Sequence, residues 1–290
     1  MFIEQEVEHY PVAILCKVMN VSRSGYYDYL KSVPSAKAQL DVQLQIEVKR
    51  LAAASRNSYG SRRMAKSLQA QGHGVSRYKA RSLMHKADVV CKQRRRFINT
   101  TDSAHKLPVS SNVLNREFMV ALPNSAWVAD ITYVWTLEGW LYVAAVLDLF
   151  SRRIVGWSMA DHMRETLIAE ALDMALGRRQ PEPGLLHHSD RGVQYASVNY
   201  QARLKVAGVT VSMSRKGNCW DNAVMERFWG SLKSERTEGR IYVTRDAAKT
   251  DVIDYIEMFY NSVRLHSTLD YVSPMQFEKQ FLLRNVSVFT

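Results

Sequence analysis

The chain has 290 residues, 47% of them hydrophobic and 23% charged, which is ordinary for a folded protein of one or two domains. Its net charge of +11 favours an anionic partner. Three widely spaced cysteines without a CxxC pair argue against a disulfide framework and a cysteine zinc site, and neither a signal peptide nor a membrane-spanning run is evident, so a cytoplasmic location without a membrane partner is expected.

The positive charge is concentrated in the first part of the chain. Residues 1–110 hold 19 Lys and Arg against 8 Asp and Glu, whereas residues 111–290 hold 20 of each kind. This asymmetry favours a binding module followed by a catalytic domain. A solvated basic surface is the alternative explanation.

Residues 1–35 are predicted to form a short helical segment. Two apolar stretches flank Asn20–Val21, and Ser22 is placed to cap the second, which makes a weak helix-turn-helix candidate.

Residues 36–96 give a stronger helix-turn-helix prediction. SRRMAKSLQAQ forms the first helix, GHG the turn, and RYKARSLMHKAD a second helix capped by Ser76. A second helix of this type can enter the major groove, and the basic run after it offers phosphate contacts. An ordinary helical hairpin with a basic face is the alternative. The side chains predicted to contact DNA here are Arg77, Tyr78, Lys79, Arg81, Arg94, Arg95 and Arg96.

Residues 97–120 are predicted to be a linker, and residues 121–285 an α/β core with C-terminal helices. Three strand-like runs are followed by helix, strand, helix, strand and helix, so we expect a mixed five-stranded sheet flanked by helices. If the strand order is 3-2-1-4-5, the first and fourth strands are neighbours. The strand-like runs are SAWVADITYVWT, GWLYVAAVLDLFS, RRIVGWSMA, GLLHHSD and VTVSMS.

Three carboxylates on different elements of this core form the candidate site. Asp130 lies in the first strand, Asp190 follows the fourth, and Glu226 lies on the helix after the fifth. Each taken singly has a structural explanation, but together they suit catalysis with two Mg²⁺ ions, with Mn²⁺ as an alternative. The chemistry expected is in-line attack on a phosphodiester, first by water and then by the 3′-hydroxyl that it exposes.

Further DNA contacts are predicted around Glu226. Helical spacing puts Asn222, Glu226 and Lys233 on one face, with Lys233 positioned to hold a phosphate. Arg215 and Lys216 are expected to form a basic lip. Of the adjacent His187 and His188, one is expected to be buried and the other to lie near the site.

Several runs resemble the second-frame product of IS-three family insertion-sequence transposases, over roughly residues 10–280. The helix-turn-helix resembles that family's internal one in YGSRRMAKSLQAQGHGVSRYKARSLM. The core runs that carry the resemblance are WVADITYV, HHSDRGVQY, SMSRKGNCWDNAVMERFWGSLKSE and YNSVRLHSTLDYVSP.

The resemblance implies a ribonuclease H-like integrase core whose catalytic, metal-binding triad is Asp130, Asp190 and Glu226, with Lys233 as the basic residue seven positions later. It implies a transposase that cuts and joins DNA at element ends. Its partners are the terminal inverted repeats and target DNA, a homo-oligomer formed on DNA, and the upstream-frame product as a fusion partner. The resemblance also implies a bacterial protein of the cytoplasm that associates with the nucleoid. A DNA-binding regulator of the element and a hydrolytic nuclease of the same fold are the alternatives.

Overall fold

The computed structural model describes residues 2–92, 109–215 and 219–286. The α-helices within them are α1 (Phe2–Glu6), α2 (Val12–Val18), α3 (Arg23–Lys31), α4 (Ala36–Ala54), α5 (Ser61–Ala70), α6 (Arg77–Lys86), α7 (Glu165–Arg179), α8 (Val198–Val206), α9 (Ala223–Leu232), α10 (Arg245–Ile253) and α11 (Pro274–Val286). The strands are β1 (Ala126–Thr136), β2 (Gly139–Asp148), β3 (Ile154–Ala160), β4 (Leu186–Ser189) and β5 (Thr210–Met213).

The five strands form one mixed sheet in the order β3-β2-β1-β4-β5, which confirms the predicted fold class. β1, β2 and β3 are antiparallel neighbours, and β4 and β5 run parallel to β1. A tight turn joins β1 to β2, where Gly139 has a φ of +104°, a backbone conformation that glycine adopts without strain.

Helices cover both faces of the sheet. Side chains alternate along β1, so Val128 packs with α9 and α10, while Trp127 packs with α7 and α8 on the other face. By the same alternation, Asp130 belongs to the face that carries α9. The apolar face of α9 that packs there consists of Met225, Phe228, Trp229 and Leu232, with Val224 partly buried.

Two helices of the core end in wider turns. α9 continues into a π-helical segment at Lys233–Thr237, and α10 into another at Asp254–Asn261. The sequence pattern predicts uninterrupted helices in both places. The second segment leads into the YNSVRLHSTLDYVSP run, which packs beside α9.

Helices α4, α5 and α6 form the predicted helix-turn-helix region around a core of their own. Leu44 and Val48 of α4 pack against Leu68 and Leu83, and the hydroxyl of Ser76 accepts a hydrogen bond from the amide of Lys79 at the start of α6. Helices α1 to α3 pack around a separate small cluster of Ile3, Leu15, Cys16 and Tyr26.

The described part of the predicted linker, residues 109–120, packs on the core. The amides of Val113 and Leu114 both donate to Ser212 Oγ, at 2.9 and 3.0 Å, and Leu114 is buried. Residues 97–108 lie outside the described residues.

The helix-turn-helix region also docks directly on the C-terminal part of the core. The hydroxyl of Tyr59 accepts from the amide of Leu265 at 2.8 Å, and Arg56 Nη1 pairs with Asp254 Oδ2 at 2.6 Å. Across the described ranges, none of the helices combines the length and the apolar character needed to cross a membrane.

Candidate active site

Asp130 lies in the middle of β1 and is held by two donors. The amide of Ile131 donates to its Oδ1 at 2.9 Å, and Nε1 of Trp229 on α9 donates to its Oδ2 at 3.1 Å. The Asp130 carboxylate is therefore fixed between its own strand and the helix that carries Glu226.

The register of the sheet places Asp190 beside Asp130. β1 and β4 are parallel, with Val128 opposite His188, and two residues further along each chain come Asp130 and Asp190. Neighbouring strands lie about 4.8 Å apart, so the two aspartates leave the sheet at adjacent positions. The amide of Gly192 donates to Asp190 Oδ1 at 2.8 Å and orients it.

Glu226 reaches the same region from the first turn of α9. Its side chain is half-buried, and the helix is fixed because Phe228 and Trp229 are buried against β1. Glu226 lines a cavity between α9 and the helix-turn-helix region, whereas Asp130 and Asp190 line a separate cavity of about 480 Å³.

The three charges influence one another. Loss of hydration raises the pKa of Asp130 well above its usual range, and the charges of Asp190 and then of Glu226 raise it further. Tyr195 lines the same cavity as the two aspartates, and its hydroxyl is buried without a hydrogen-bond partner. Burial raises the pKa of Tyr195, and both aspartates add to the effect.

The three carboxylates are not gathered tightly enough to bind one ion together as they stand. Over residues 2–92, 109–215 and 219–286, no three His, Cys, Asp or Glu side chains stand near enough to one another to hold an ion. The structure thus brings Asp130 and Asp190 together, with Glu226 close enough to affect the Asp130 pKa but turned toward the neighbouring cavity.

Lys233, predicted to hold a phosphate, lies beside the site. Its Nζ is 4.9 Å from the ring centre of Tyr133, a residue that lines the aspartate cavity. Burial lowers the pKa of Lys233, while the charge of Asp130 acts in the opposite direction. The ammonium group is thus close to Asp130 without being fully hydrated.

Asn222 has a different environment from the one expected. It is only 6% exposed, and its Nδ2 donates to the carbonyl of Ala129 on β1 at 3.3 Å. Its predicted DNA contact is not supported, because the amide is inside the protein and ties the start of α9 to β1.

Arg215 bonds to another residue of its own loop, and its contact with DNA stays a prediction. Its Nε and Nη2 donate to the two oxygens of Asp221 at 2.9 and 2.7 Å. Lys216 lies outside the described residues.

Asp221 is a positioning residue that the sequence reasoning missed. It is fully buried and also accepts from Asn112 Nδ2 and Arg116 Nε, both at 2.8 Å. Hydrogen bonding to Arg215 holds its pKa well below the usual range. Asp221 therefore clamps the segment immediately before α9, and the signal was an acid inside a strongly patterned run, WDNAVMERFW.

Both histidines of the fourth strand bond to buried hydroxyl groups. His187 bonds to the Tyr200 hydroxyl at 3.1 Å, and His188 to the Ser212 and Ser214 hydroxyls at 2.8 and 3.2 Å. Burial lowers the pKa of His187 to about 3 and that of His188 to about 4. The prediction that one of them is buried is confirmed, and both are; the expectation that the other lies near the site stays a prediction.

The predicted DNA-binding side chains of α6 divide into two groups. Arg77, Tyr78 and Arg81 are exposed. Lys79 forms an ion pair with Asp41 on α4, which ties the two helices together, and its contact with DNA stays a prediction. Arg94, Arg95 and Arg96 lie outside the described residues.

Comparison with known families matches both halves of the chain. Residues 39–97 match the HTH-like domain family, and residues 121–219 and 226–282 match two families described as integrase core domain.

Known relatives match almost from end to end. The chain is 44% identical over 267 residues to the insertion element IS600 uncharacterized 31 kDa protein of Shigella sonnei, covering 92% of this chain and 98% of that one. It is 38% identical over 284 residues to transposase InsF for insertion sequence IS3A of Escherichia coli (strain K12), covering 97% and 99%.

A solved structure of the HTLV-2 integrase catalytic core domain in complex with magnesium aligns with 54% of this chain and 97% of that one, at 15% identity and a TM-score of 0.41. The helix-turn-helix region, the integrase core and the near full-length identity to transposases lead to one assignment: this chain belongs to the IS-three family of insertion-sequence transposases.

Proposed function

We propose that Asp130, Asp190 and Glu226 hold two magnesium ions and catalyse DNA cleavage and strand transfer at the ends of the insertion sequence. The observation that carries the proposal is the β1–β4 register, which sets the two aspartates side by side, with Glu226 near enough to affect the Asp130 pKa. Three carboxylates are the hard oxygen ligands that Mg²⁺ prefers, and Mn²⁺ is the alternative. The buried, unpaired hydroxyl of Tyr195 fits a cavity that receives a hydrated cation.

The protein groups prepare the site for phosphoryl transfer. Trp229 and the Ile131 amide orient Asp130, the Gly192 amide orients Asp190, and Glu226 completes the set by turning toward them. Bound there, magnesium supplies positive charge that activates the attacking oxygen and stabilises the leaving one.

The reaction then needs no covalent protein intermediate. Water attacks the phosphodiester at the element end, a new P–O bond forms, and the bond to the 3′ oxygen breaks to leave a 3′-hydroxyl. That hydroxyl attacks a phosphodiester of another strand, gives up its proton, and displaces the 3′ oxygen of that strand.

DNA contacts follow from the basic side chains around this site. Lys233 is placed to contact the reacting phosphate, and Arg77, Tyr78 and Arg81 on α6 to contact the duplex. The proposed partners are the terminal inverted repeats and target DNA, a second copy of this chain bound to the other end, and the upstream-frame product as a fusion partner.

The test is strand joining on labelled ends of the insertion sequence with Mg²⁺. Asp130→Asn, Asp190→Asn and Glu226→Gln are each expected to lower joining by at least about a thousandfold while leaving DNA binding intact, as for groups that act together in one transition state. Asp173→Asn is the matched control, since its carboxylate is exposed and pairs with Arg203 on α8. Near-normal joining by any of the three variants contradicts the proposal.

The same assay separates the alternatives. Joined products identify strand transfer, cleavage without joining identifies a hydrolytic nuclease, and retention of DNA without cutting identifies a regulator.

A further inference from the structure

A basic cavity lies between the helix-turn-helix region and the core. It has a volume of about 750 Å³, within the usual range for ligand sites of roughly 300–1,000 Å³. Its walls include Gly60 at the start of α5, Glu226 and Arg227 on α9, and His266 of the YNSVRLHSTLDYVSP run. That run accounts for part of the family resemblance, but the site described above does not use it.

The charges around the cavity favour an anion. Its described lining holds five Arg and Lys side chains against two Glu, an excess of three positive charges. Glu235 neutralises Arg264 through two hydrogen bonds, from Nε at 2.7 Å and from Nη2 at 2.5 Å. Burial, and then the charges of four arginines, lower the pKa of His266 to about 3, so those guanidinium groups lie near one another.

Arg152 supplies an unsatisfied donor in this lining. It is 5% exposed, and its Nη2 donates to the carbonyl of Phe118 at 2.8 Å, but its Nη1 is buried without a hydrogen-bond partner. A buried donor of this kind is costly, and more so when it is charged. An anion in the cavity is the natural partner.

A helix N-terminus meets the same cavity. Gly60 is the N-cap residue of the ten-residue α5 and provides no side-chain acceptor for the first amides of the helix. Free amides and the helix dipole favour a phosphate at such a position. The N-terminus of α5 and the guanidinium group of Arg152 thus both favour an anion in this cavity.

We propose that this cavity binds a backbone phosphate of the DNA strand that enters the active site, between the N-terminus of α5 and Arg152 and Arg227. Because Glu226 lines the same cavity, the strand held there leads to the third carboxylate of the site. The helix-turn-helix region therefore contributes a wall of the substrate path as well as groove contacts. The inference rests on the proposed function, which identifies the bound DNA strand as the one that is cut and joined.

The sharpest test compares Gly60→Asp with Gly60→Asn. Both residues are good N-caps, the φ of −79° suits them, and an added Cβ meets only Cys91 Sγ at 3.7 Å. The two variants therefore differ at the cavity mainly in one negative charge.

With a fluorescent duplex of arbitrary sequence, Gly60→Asp is expected to bind about tenfold more weakly than Gly60→Asn, the usual worth of one hydrogen bond to a charged group. The slope of log affinity against log salt is expected to be smaller by about 0.9, which corresponds to one phosphate. Equal affinity and equal slope for the two variants overturn the proposal.

A second pair of variants tests the same site without changing the N-cap of α5. Arg227→Gln on exposed α9 surface is expected to reduce affinity in the same way, whereas Arg203→Gln on α8, which removes an exposed arginine far from the cavity lining, is not. Equal loss in both variants attributes the effect to net charge and overturns the proposal.

The thiol of Cys91 reports occupancy directly, because it is half-buried in the lining of the cavity. The duplex is expected to slow alkylation of Cys91, measured by mass spectrometry of its peptide. Protection by inorganic phosphate without protection by the duplex means that the site takes free phosphate, and overturns the proposal.

Strand joining separates this inference from the proposed function. If Glu226→Gln abolishes joining while the two Gly60 variants bind DNA alike, the catalytic proposal stands and the phosphate site is wrong.

Discussion

At the scale of single residues, the position of Asp130 in the candidate site has a cost in stability. Its carboxylate has lost part of its hydration and faces two further carboxylates, all of which raise its pKa. Two donors, the Ile131 amide and Trp229 Nε1, partly offset that cost. A site arranged in this way gains stability when a cation neutralises it.

The raised pKa of Asp130 predicts how the stability of Asp130→Asn, relative to the wild type, depends on pH. An acid whose pKa is raised in the folded state contributes stability below its unfolded pKa, and that stability is lost as pH rises through the folded pKa. Without divalent cations, the free energy of unfolding of Asp130→Asn is therefore expected to increase relative to the wild type between pH 4 and pH 8. Urea titrations of both proteins at several pH values measure this difference, in which the effects of groups that do not interact with Asp130 cancel.

Magnesium is expected to increase the free energy of unfolding of the wild type but not that of Asp130→Asn. At 100 times its dissociation constant, an ion that binds only the folded state adds about 2.7 kcal/mol to the free energy of unfolding. Asp130→Asn lacks a ligand, so its unfolding is expected to stay nearly unchanged. A relative stability that falls as pH rises, or equal magnesium stabilisation of both proteins, contradicts the account.

Residues that require a tertiary partner are where sequence reasoning failed. Arg77 and Arg81 are exposed as predicted, since helical spacing alone decides their face. Lys79 shares that basic run but pairs with Asp41, 38 positions earlier in the chain, and a local pattern contains no information about that contact. The same applies to Arg215, whose partner Asp221 is itself buried.

At the scale of elements, the position of the site follows from strand order. Alternating apolar residues and short turns were sufficient to predict the mixed sheet. The order of its strands was only assumed from the sequence, and the structure shows that the first and fourth strands are neighbours. The π-helical turn after α9 was not predictable in this way, because it depends on how the helix packs on the sheet. It begins at Lys233, whose own amide still bonds to the carbonyl of Trp229 as in an α-helix, so the wider turn affects the chain that follows Lys233.

A close approach between β3 and α7 gives a prediction at this scale. A Cβ on Gly156 would lie 2.1 Å from the carbonyl oxygen of Ala171 and 2.7 Å from the amide nitrogen of Ala175. Gly156→Ala is therefore expected to reduce the free energy of unfolding by about 3 kcal/mol, the upper end for overpacking, because backbone must move to accept the methyl group. Urea denaturation measures the loss.

Gly177, on the exposed side of the same helix, is the matched control. Nothing lies within 4 Å of a Cβ built there, so Gly177→Ala is expected to add roughly 0.8–1 kcal/mol through helix propensity alone. A Gly156→Ala protein as stable as the wild type would mean that β3 and α7 are not packed as closely as described.

At the scale of the whole molecule, the DNA-binding region and the catalytic core are joined by specific contacts. Tyr59 bonds to the Leu265 amide, Arg56 pairs with Asp254, and Arg63 lies 3.9 Å from Glu235, which also binds Arg264. The chain therefore holds α6 in a defined position relative to the carboxylates.

This arrangement predicts how α6 contributes to binding. Arg77→Ala with Arg81→Ala removes two exposed charges from the helix predicted to enter the groove, while the capping hydroxyl of Ser76 and the buried Ala80 and Leu83 are unchanged. If both arginines contact phosphates, the slope of log affinity against log salt is expected to fall by about 1.8. Fluorescence anisotropy with a labelled duplex over a range of salt concentrations measures it.

The control variant also loses two positive charges, but from a different helix. Arg203→Ala with Lys205→Ala takes two positive charges from α8, on the face of the core covered by α7 and α8, away from α6 and α9. If net charge alone governed binding, both double variants would lose the same slope. A loss confined to the α6 variant means that the first part of the chain binds DNA through a defined helix, and equal losses would remove α6 from the binding surface.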